Sequence, residues 1–291
     1  MEKDFVAYID TDSLFVMLGL WIETNLNDPN DWKLLPDEKK IEIIKEISRV
    51  IEDEVNEKIF EEVQISDYNS QVHDFKIGFK QEIIAKNALF VKKKKYAFWC
   101  VDEEGIPTDK MEVTGLEIVR SDSSEAIRER LKHIMEMIIK GFPDDEIINV
   151  IDKYKKELMK VYPEEIAANI SVNNINKYVV NGISQKGAPW HIKGVNNYRK
   201  LLKELNIQDH YEDISEGIKV KVVYLKKNPF NFETLSFIRW PKEFDKAITV
   251  DKSLMIEKFF IKKIRSLLEP INKKDLLANK SAEKGLDAFF S

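Results

Sequence analysis

Two short apolar runs open the chain, Phe5 to Ile9 and Leu14 to Leu18, separated by the polar tetrad Asp10-Thr11-Asp12-Ser13. Runs of this length around turn-forming residues predict a β-hairpin with an acidic tip. Asn25 to Pro36 repeats Asn, Asp and Pro and predicts a loop. From Asp37 onward, Ile41, Ile44, Ile47, Val50, Ile51, Val55 and Ile59 recur at three- and four-residue steps with charges between them. That is the signature of an amphipathic helix. Alternation at Phe75, Ile77 and Phe79 returns to strand, as do Tyr96 to Val101 and Gly115 to Arg120. Hairpin-linked strands with a helix over one face predict an α+β layer.

The texture changes after Ser121. Ser123 or Ser124 is placed to cap a helix running to Lys140, with Ile127, Leu131, Ile134, Met135 and Ile138 on its apolar side. Pro143 starts another, with Ile147, Ile148, Ile151, Tyr154, Leu158 and Val161 in period. Further helices are predicted at Val195 to Leu205 and Asp251 to Leu268, and a strand pair at Ile218–Leu225 and Leu235–Trp240. The pattern divides the chain into an α+β domain over 1–120, a mainly helical domain over 121–271, and a polar tail over 272–291. The tail ends in Leu286-Asp-Ala-Phe-Phe290.

Composition narrows the class. Of 291 residues, 43% are hydrophobic and 33% charged, the balance of a soluble globular chain. No run approaches the roughly 18–20 apolar residues that span a bilayer, so no membrane partner is expected. Met1-Glu2-Lys3-Asp4 lacks the features of a secretory signal. A single cysteine, Cys100, cannot form an internal disulfide, and a reducing cytoplasm is the expected location. The net charge of −5 argues mildly against a nucleic-acid partner, but the charge is segregated. Glu23 to Asp74 holds 15 acidic against 6 basic residues, whereas Lys76 to Phe98 holds 7 lysines against one acid, Glu82. Segregation of this kind gives one surface a positive potential despite the acidic total.

Three features carry candidate chemistry. Asp10 and Asp12 are alternate residues of an extended chain and point the same way. Paired carboxylates repel unless a cation joins them, and an oxygen-rich pair suits Mg²⁺ together with substrate phosphates. The plainer reading is a turn that uses Asp because Asp favours turns. Lys92 to Lys95, followed by Tyr96, offers phosphate contacts beside an aromatic ring; the alternative is a solvated edge protected by lysine. Leu286, Phe289 and Phe290 place two large rings at the end of a polar tail, suited either to a partner's pocket or to docking on the chain's own body.

The string Tyr8-Ile9-Asp10-Thr11-Asp12-Ser13 resembles the third polymerase motif of family B DNA polymerases. Lys93, Lys94 and Tyr96 resemble that family's K-K-x-Y motif, and Gly115 to Asp122 its passage from palm to thumb. Ser123-Ser124 stands where relatives often carry Thr-Pro. Pro189 to Arg199, Asn228-Pro229-Phe230 and Trp240-Pro241 resemble the thumb of the T-even bacteriophage type, in the same order. The resemblance implies the C-terminal part of a palm, an antiparallel sheet with packing helices, followed by a mainly helical thumb. It implies Asp12 as the direct ligand of two Mg²⁺ ions, with Asp10 as a second carboxylate of the catalytic and metal site. Tyr8, Thr11, Lys93, Lys94, Tyr96, His191, Lys193, Tyr198 and Arg199 would face primer–template DNA, with His191 and Tyr198 equally able to serve as satisfied core groups. Leu286, Phe289 and Phe290 would bind a sliding clamp, with Glu283 where many such peptides carry Gln.

A complete family B active site needs a further metal-binding aspartate and a fingers helix for the incoming dNTP. Neither D-x-x-S-L-Y-P nor K-x-x-x-N-S-x-Y-G occurs, nor a D-x-E exonuclease start. The resemblance therefore implies the C-terminal subunit of a split DNA-directed DNA polymerase, with a larger N-terminal polymerase subunit supplying the rest. Its expected location is the cytoplasm, that of an infected bacterial host if the chain is viral. Two other readings stand beside it. A non-catalytic DNA- and clamp-binding remnant would have no activity with any partner. A D-x-D glycosyltransferase would need a nucleotide-sugar domain ahead of its D-x-D, and Met1 lies too close to Asp10.

Overall fold

The computed structural model describes residues 4–10, 13–65, 78–116 and 122–277. They belong to an α+β chain of two units that divide between Thr114 and Gly115. In the first unit, β1 (Val6–Asp10) and β2 (Ser13–Val16) form an antiparallel hairpin that pairs Tyr8 with Phe15 and Asp10 with Ser13. Thr11 and Asp12 lie outside the described residues. The second strand is shorter than expected: it stops at Val16, and α1 (Leu18–Asn25) follows. A short continuous apolar run does not distinguish strand from helix, so the sequence pattern alone could not place this switch.

The expected loop contains a short helix, α2 (Pro29–Lys33), where the Asp28 carboxylate accepts the Asn30 N–H at 2.9 Å and Pro29 fills the first helical position. Then comes α3 (Asp37–Ile65), as the periodicity predicts. Strands β3 (Ile83–Lys92), β4 (Lys95–Glu103) and β5 (Ile106–Thr114) form an antiparallel sheet in that order. Of the expected strand at Phe75–Phe79, Phe75 and Ile77 lie outside the described residues and Phe79 is not in a strand. The Asn56 side chain on α3 occupies Phe79's backbone groups instead, donating to its carbonyl at 2.9 Å and accepting its N–H at 2.6 Å. Gly115 and Leu116 likewise fall after β5 rather than in a strand, and Gly115 turns the chain with φ of 63°. Residues 117–120 are outside the described set. Ion pairs tie α3 to the three-stranded sheet: the Lys86 ammonium of β3 meets Asp37 Oδ2 at 2.6 Å, and the buried Asp102 of β4 holds the Lys45 ammonium on Oδ2 while Gly105 N–H donates to Oδ1 at 2.9 Å.

The second unit begins with α4 (Glu125–Ile139), capped by the Ser124 hydroxyl on Ile127 N–H, and α5 (Asp144–Leu158). Ile127, Leu131, Ile134 and Met135 of α4, with Ile147, Ile151 and Leu158 of α5, are buried, as their spacing requires. A short α6 (Pro163–Ile166) leads into β6 (Ala168–Ser171). Next come α7 (Ile175–Tyr178) and the small hairpin β7 (Val179–Val180) with β8 (Ile183–Ser184). After α8 (Trp190–Glu204), β9 (Lys219–Tyr224) and β10 (Thr234–Phe237) complete an antiparallel sheet in the order β10-β9-β6. A last helical stretch runs through α9 (Lys252–Ile256), a wider π turn at Glu257–Ile261, and α10 (Lys262–Leu268). Lys263 on α10 is buried and donates to Ser123 Oγ at 2.6 Å and Asp122 Oδ1 at 3.2 Å, fastening the start of the unit to its end.

Helix α8 lies directly on β10. Thr234 Oγ1 donates to Trp190 O at 3.0 Å, Ser236 Oγ to His191 O at 2.7 Å, and Asn197 Nδ2 to Thr234 O at 2.9 Å. The approach is possible because position 194 is glycine: a Cβ there would sit 2.7 Å from Ser236 N and 2.9 Å from Leu235 C, both backbone atoms. Alanine normally stabilises a helix interior by about 1 kcal/mol over glycine. Here the forced separation costs more, of the order of overpacked cores at about 1–3 kcal/mol. Gly194→Ala is therefore expected to lower the unfolding midpoint in a denaturant titration, whereas a rise would contradict this contact.

Candidate nucleic-acid interface

The site is built on aromatic packing that spans the first unit. Because side chains alternate along a strand, Tyr8 and Phe15 point from the hairpin to one side, while Ile9, Leu14 and Val16 are exposed on the other. Tyr8 stacks on Phe90 of β3 at 5.4 Å between centroids and meets Tyr96 of β4 at 5.4 Å. Phe15 meets Phe90 at 5.5 Å and Tyr96 at 5.4 Å, and Tyr96 stacks on Phe98 at 6.2 Å. Pairs of this geometry contribute about 0.5–1.5 kcal/mol beyond their area. The cluster thus sets the hairpin against β3 and β4.

That placement brings Asp10 to the lysine run. Lys92 and Lys95 are paired across the β3–β4 connection, with Lys93 and Lys94 forming its turn. Lys92, Lys93 and Lys94 are all exposed. Lys94 has φ of 59°, a left-handed conformation uncommon for a residue with a side chain. Its backbone N–H donates to Tyr8 Oη at 2.7 Å, and its ammonium lies 3.7 Å from Asp10 Oδ1. The Tyr8 hydroxyl in turn donates to Asp10 Oδ2 at 3.5 Å. Residues 86 positions apart in the chain are therefore in direct contact.

As a metal site, the described residues fit in part. No group of three or more His, Cys, Asp or Glu side chains is gathered among them. Asp10 supplies hard oxygen donors of the kind Mg²⁺ takes, and that ion commonly uses one or two protein carboxylates plus phosphates. Asp12 is outside the described residues.

The residues expected on DNA from the second unit are placed unequally. His191 and Lys193 lie half-buried in the first turn of α8, beside Trp190. Burial holds the His191 imidazole below its usual value, favouring the neutral ring. Tyr198 is a core residue, 2% exposed, packed edge-on against Phe244, with its hydroxyl on Glu212 O at 3.3 Å. Burial pushes that phenol up to about 12. The Arg199 guanidinium grips Asp213 through both carboxylate oxygens, at 2.7 and 2.9 Å, and Ile214 O at 2.8 Å. Leu286, Phe289 and Phe290 lie outside the described residues.

A second basic feature in this unit was missed by the sequence reading. Trp190 is stacked between Tyr224 at 4.7 Å and Phe259 at 5.9 Å, and Lys258 sits over the Tyr224 ring at 4.0 Å. These residues, with Asp122 and Lys262, line an open cleft of about 420 Å³. The π turn sets Lys258 and Phe259 toward it, an irregularity often found at functional positions. Lys258 and Lys262, one helical turn apart, were the available signal.

Comparison with known proteins bears on this arrangement. The sequence profile described as DNA polymerase family B matches residues 38–271. The chain is 24% identical to the DNA-directed DNA polymerase of Enterobacteria phage T4 over 92% of its length, and 28% identical to that of Escherichia phage RB69 over 89%. It spans about 30% of the length of the first and 29% of the second. A DNA polymerase of Thermococcus gorgonarius is 39% identical over 83 residues, 28% of this chain and 10% of that protein.

Proposed function

Because the chain belongs to DNA polymerase family B, we propose that it is the C-terminal, palm-and-thumb portion of a DNA-directed DNA polymerase, with residues 1–120 as palm, 121–271 as thumb and 272–291 as a clamp-binding tail. It supplies one edge of the active site and a grip on primer–template DNA, and a larger N-terminal polymerase subunit contributes the remaining metal ligand and the dNTP-binding fingers. The observation that supports this reading is the contact of the Tyr8–Asp10 strand with the Lys93–Lys94 turn. It sets a carboxylate strand end beside exposed phosphate-binding cations.

In this reading Asp12 is the direct ligand of Mg²⁺, with Asp10 beside it. The metal, when bound, supplies positive charge to the phosphate oxygens in an in-line displacement. The chain's own part is positioning. Tyr8, Phe15, Phe90 and Tyr96 hold the strand end rigid, and the turn lysines bind the DNA backbone without regard to sequence. On the thumb, Lys193, Lys258 and Lys262 are basic residues that would contact the DNA backbone in their own right. Tyr198 and Arg199 leave the DNA-facing set, since one is in the core and the other is held by Asp213; both brace the thumb. Primer–template binding by the chain should fall steeply with salt, and Lys93→Ala should flatten that dependence by about one counterion. A chain that does not bind DNA in a salt-dependent way would overturn the reading.

Leu286, Phe289 and Phe290 are proposed to tether the polymerase to a sliding clamp. Aromatic anchors in a preformed pocket contribute about 2 kcal/mol or more each. Tethering raises effective concentration on DNA without a new contact at the active site. Phe289→Ala with Phe290→Ala is therefore expected to leave single-nucleotide insertion by the reconstituted enzyme intact while long products made with the cognate clamp are lost. Slower insertion in the absence of a clamp would instead make the tail a structural part of the thumb.

A further inference from the structure

Lys94 and Asp10 pair in a way that neither metal ligation nor DNA contact requires. The Lys94 ammonium is 3.7 Å from Asp10 Oδ1, and the Tyr8 hydroxyl lies 3.5 Å from Oδ2. The same hydroxyl accepts the Lys94 backbone N–H at 2.7 Å. Three groups thus close a ring in which both oxygens of one carboxylate face the hairpin tyrosine and the lysine turn. The two partners differ in freedom: the Lys94 side chain is 64% exposed and that of Asp10 is 21% exposed. The carboxylate is fixed at the strand end, whereas the ammonium can swing into solvent on its flexible stem.

A carboxylate oxygen presents lysine with the same kind of partner as a phosphate oxygen, an anionic oxygen within ion-pair range. We propose that Asp10 is an internal stand-in for backbone phosphate: it holds Lys94 in the DNA-free chain, and DNA must displace it to recruit that lysine. The inference rests on the reading of the lysine turn as a DNA contact and adds a competitor to it. Asp10 then sets the cost of closing the turn onto DNA. Lys93, exposed on the same turn, gives the first grip, and Lys94 exchanges carboxylate for phosphate as the strand settles. Exposed pairs of this type shift equilibria by factors up to about five.

The test is a double-mutant cycle on the chain itself, read by fluorescence anisotropy of a labelled primer–template duplex at low salt. EDTA is present so that metal ligation plays no part. Asp10→Asn is expected to bind DNA about three- to five-fold tighter than the unaltered chain. Lys94→Ala should bind more weakly, and Asp10→Asn with Lys94→Ala should match Lys94→Ala alone, because the gain passes through the lysine. Asp10→Ser, a second uncharged variant, should repeat the gain, and thermal melts of every variant should retain the same cooperative transition. If the gain persists without Lys94, Asp10 merely repels DNA and the inference fails. If Asp10→Asn and Asp10→Ser bind no tighter, it fails as well. Should none of the chains bind DNA with salt dependence, the proposed DNA grip itself falls and the inference with it.

Discussion

Replacing Asp12 by Asn is expected to abolish primer extension by the reconstituted polymerase while DNA binding survives. The substitution keeps the size of the side chain and, in the proposed function, removes a charged oxygen ligand of Mg²⁺. Even groups that only orient a metal's ligands typically cost ten- to a hundredfold when lost, so removal of a direct ligand should exceed roughly a hundredfold. Asp10→Asn should hurt less, because its oxygens already face Tyr8 and Lys94 within the chain. Single-turnover insertion at saturating DNA separates the two, with anisotropy as the check that binding is intact. Equal and small effects of both would remove the hairpin tip from the metal site.

Lys45→Met is expected to cause a large loss of stability in the first unit. Asp102 is 1% exposed on β4 and its Oδ2 meets the Lys45 ammonium from α3. Removing one partner of a buried pair leaves an uncompensated charge, at a cost of about 3–5 kcal/mol. The Lys45 side chain is 26% exposed, which places the effect toward the lower end. The second substitution Asp102→Leu in the same chain should restore much of the loss, because an apolar pair of similar volume avoids the burial of charge. Denaturant titration of the single and double variants decides it: a change below about 1 kcal/mol for Lys45→Met would show that water reaches the pair.

Much of this architecture was legible in the residues. The three- and four-residue spacing of Ile41 to Ile59 gave α3, that of Ile127 to Met135 gave α4, and the Asp251–Leu268 stretch is helical apart from its π turn. The opening pair of antiparallel strands was equally plain. For Tyr198 the core alternative is the one the structure holds, in keeping with the three-residue recurrence of Val195, Tyr198 and Leu201 on one face of α8. The errors at Phe79 and Leu18 were local. An asparagine side chain from α3 took the role a neighbouring strand would have played, and a continuous apolar run hid a switch from strand to helix. What no local pattern contains is contact between distant segments. The Tyr8–Lys94 bond, the Arg199–Asp213 grip and the Trp190–Tyr224–Phe259 stack each join residues whose proximity depends on the finished fold.

In the proposed function this chain holds part of a polymerase active site and a second polypeptide supplies the rest. Primer extension with a labelled primer–template, four dNTPs and Mg²⁺ tests it most directly, run with the chain alone and with a polypeptide carrying the remaining family B motifs. No extension is expected from the chain alone, and Mg²⁺-dependent extension is expected once the second polypeptide is added. Robust synthesis by the isolated chain, or no synthesis with a partner that binds it, would contradict it.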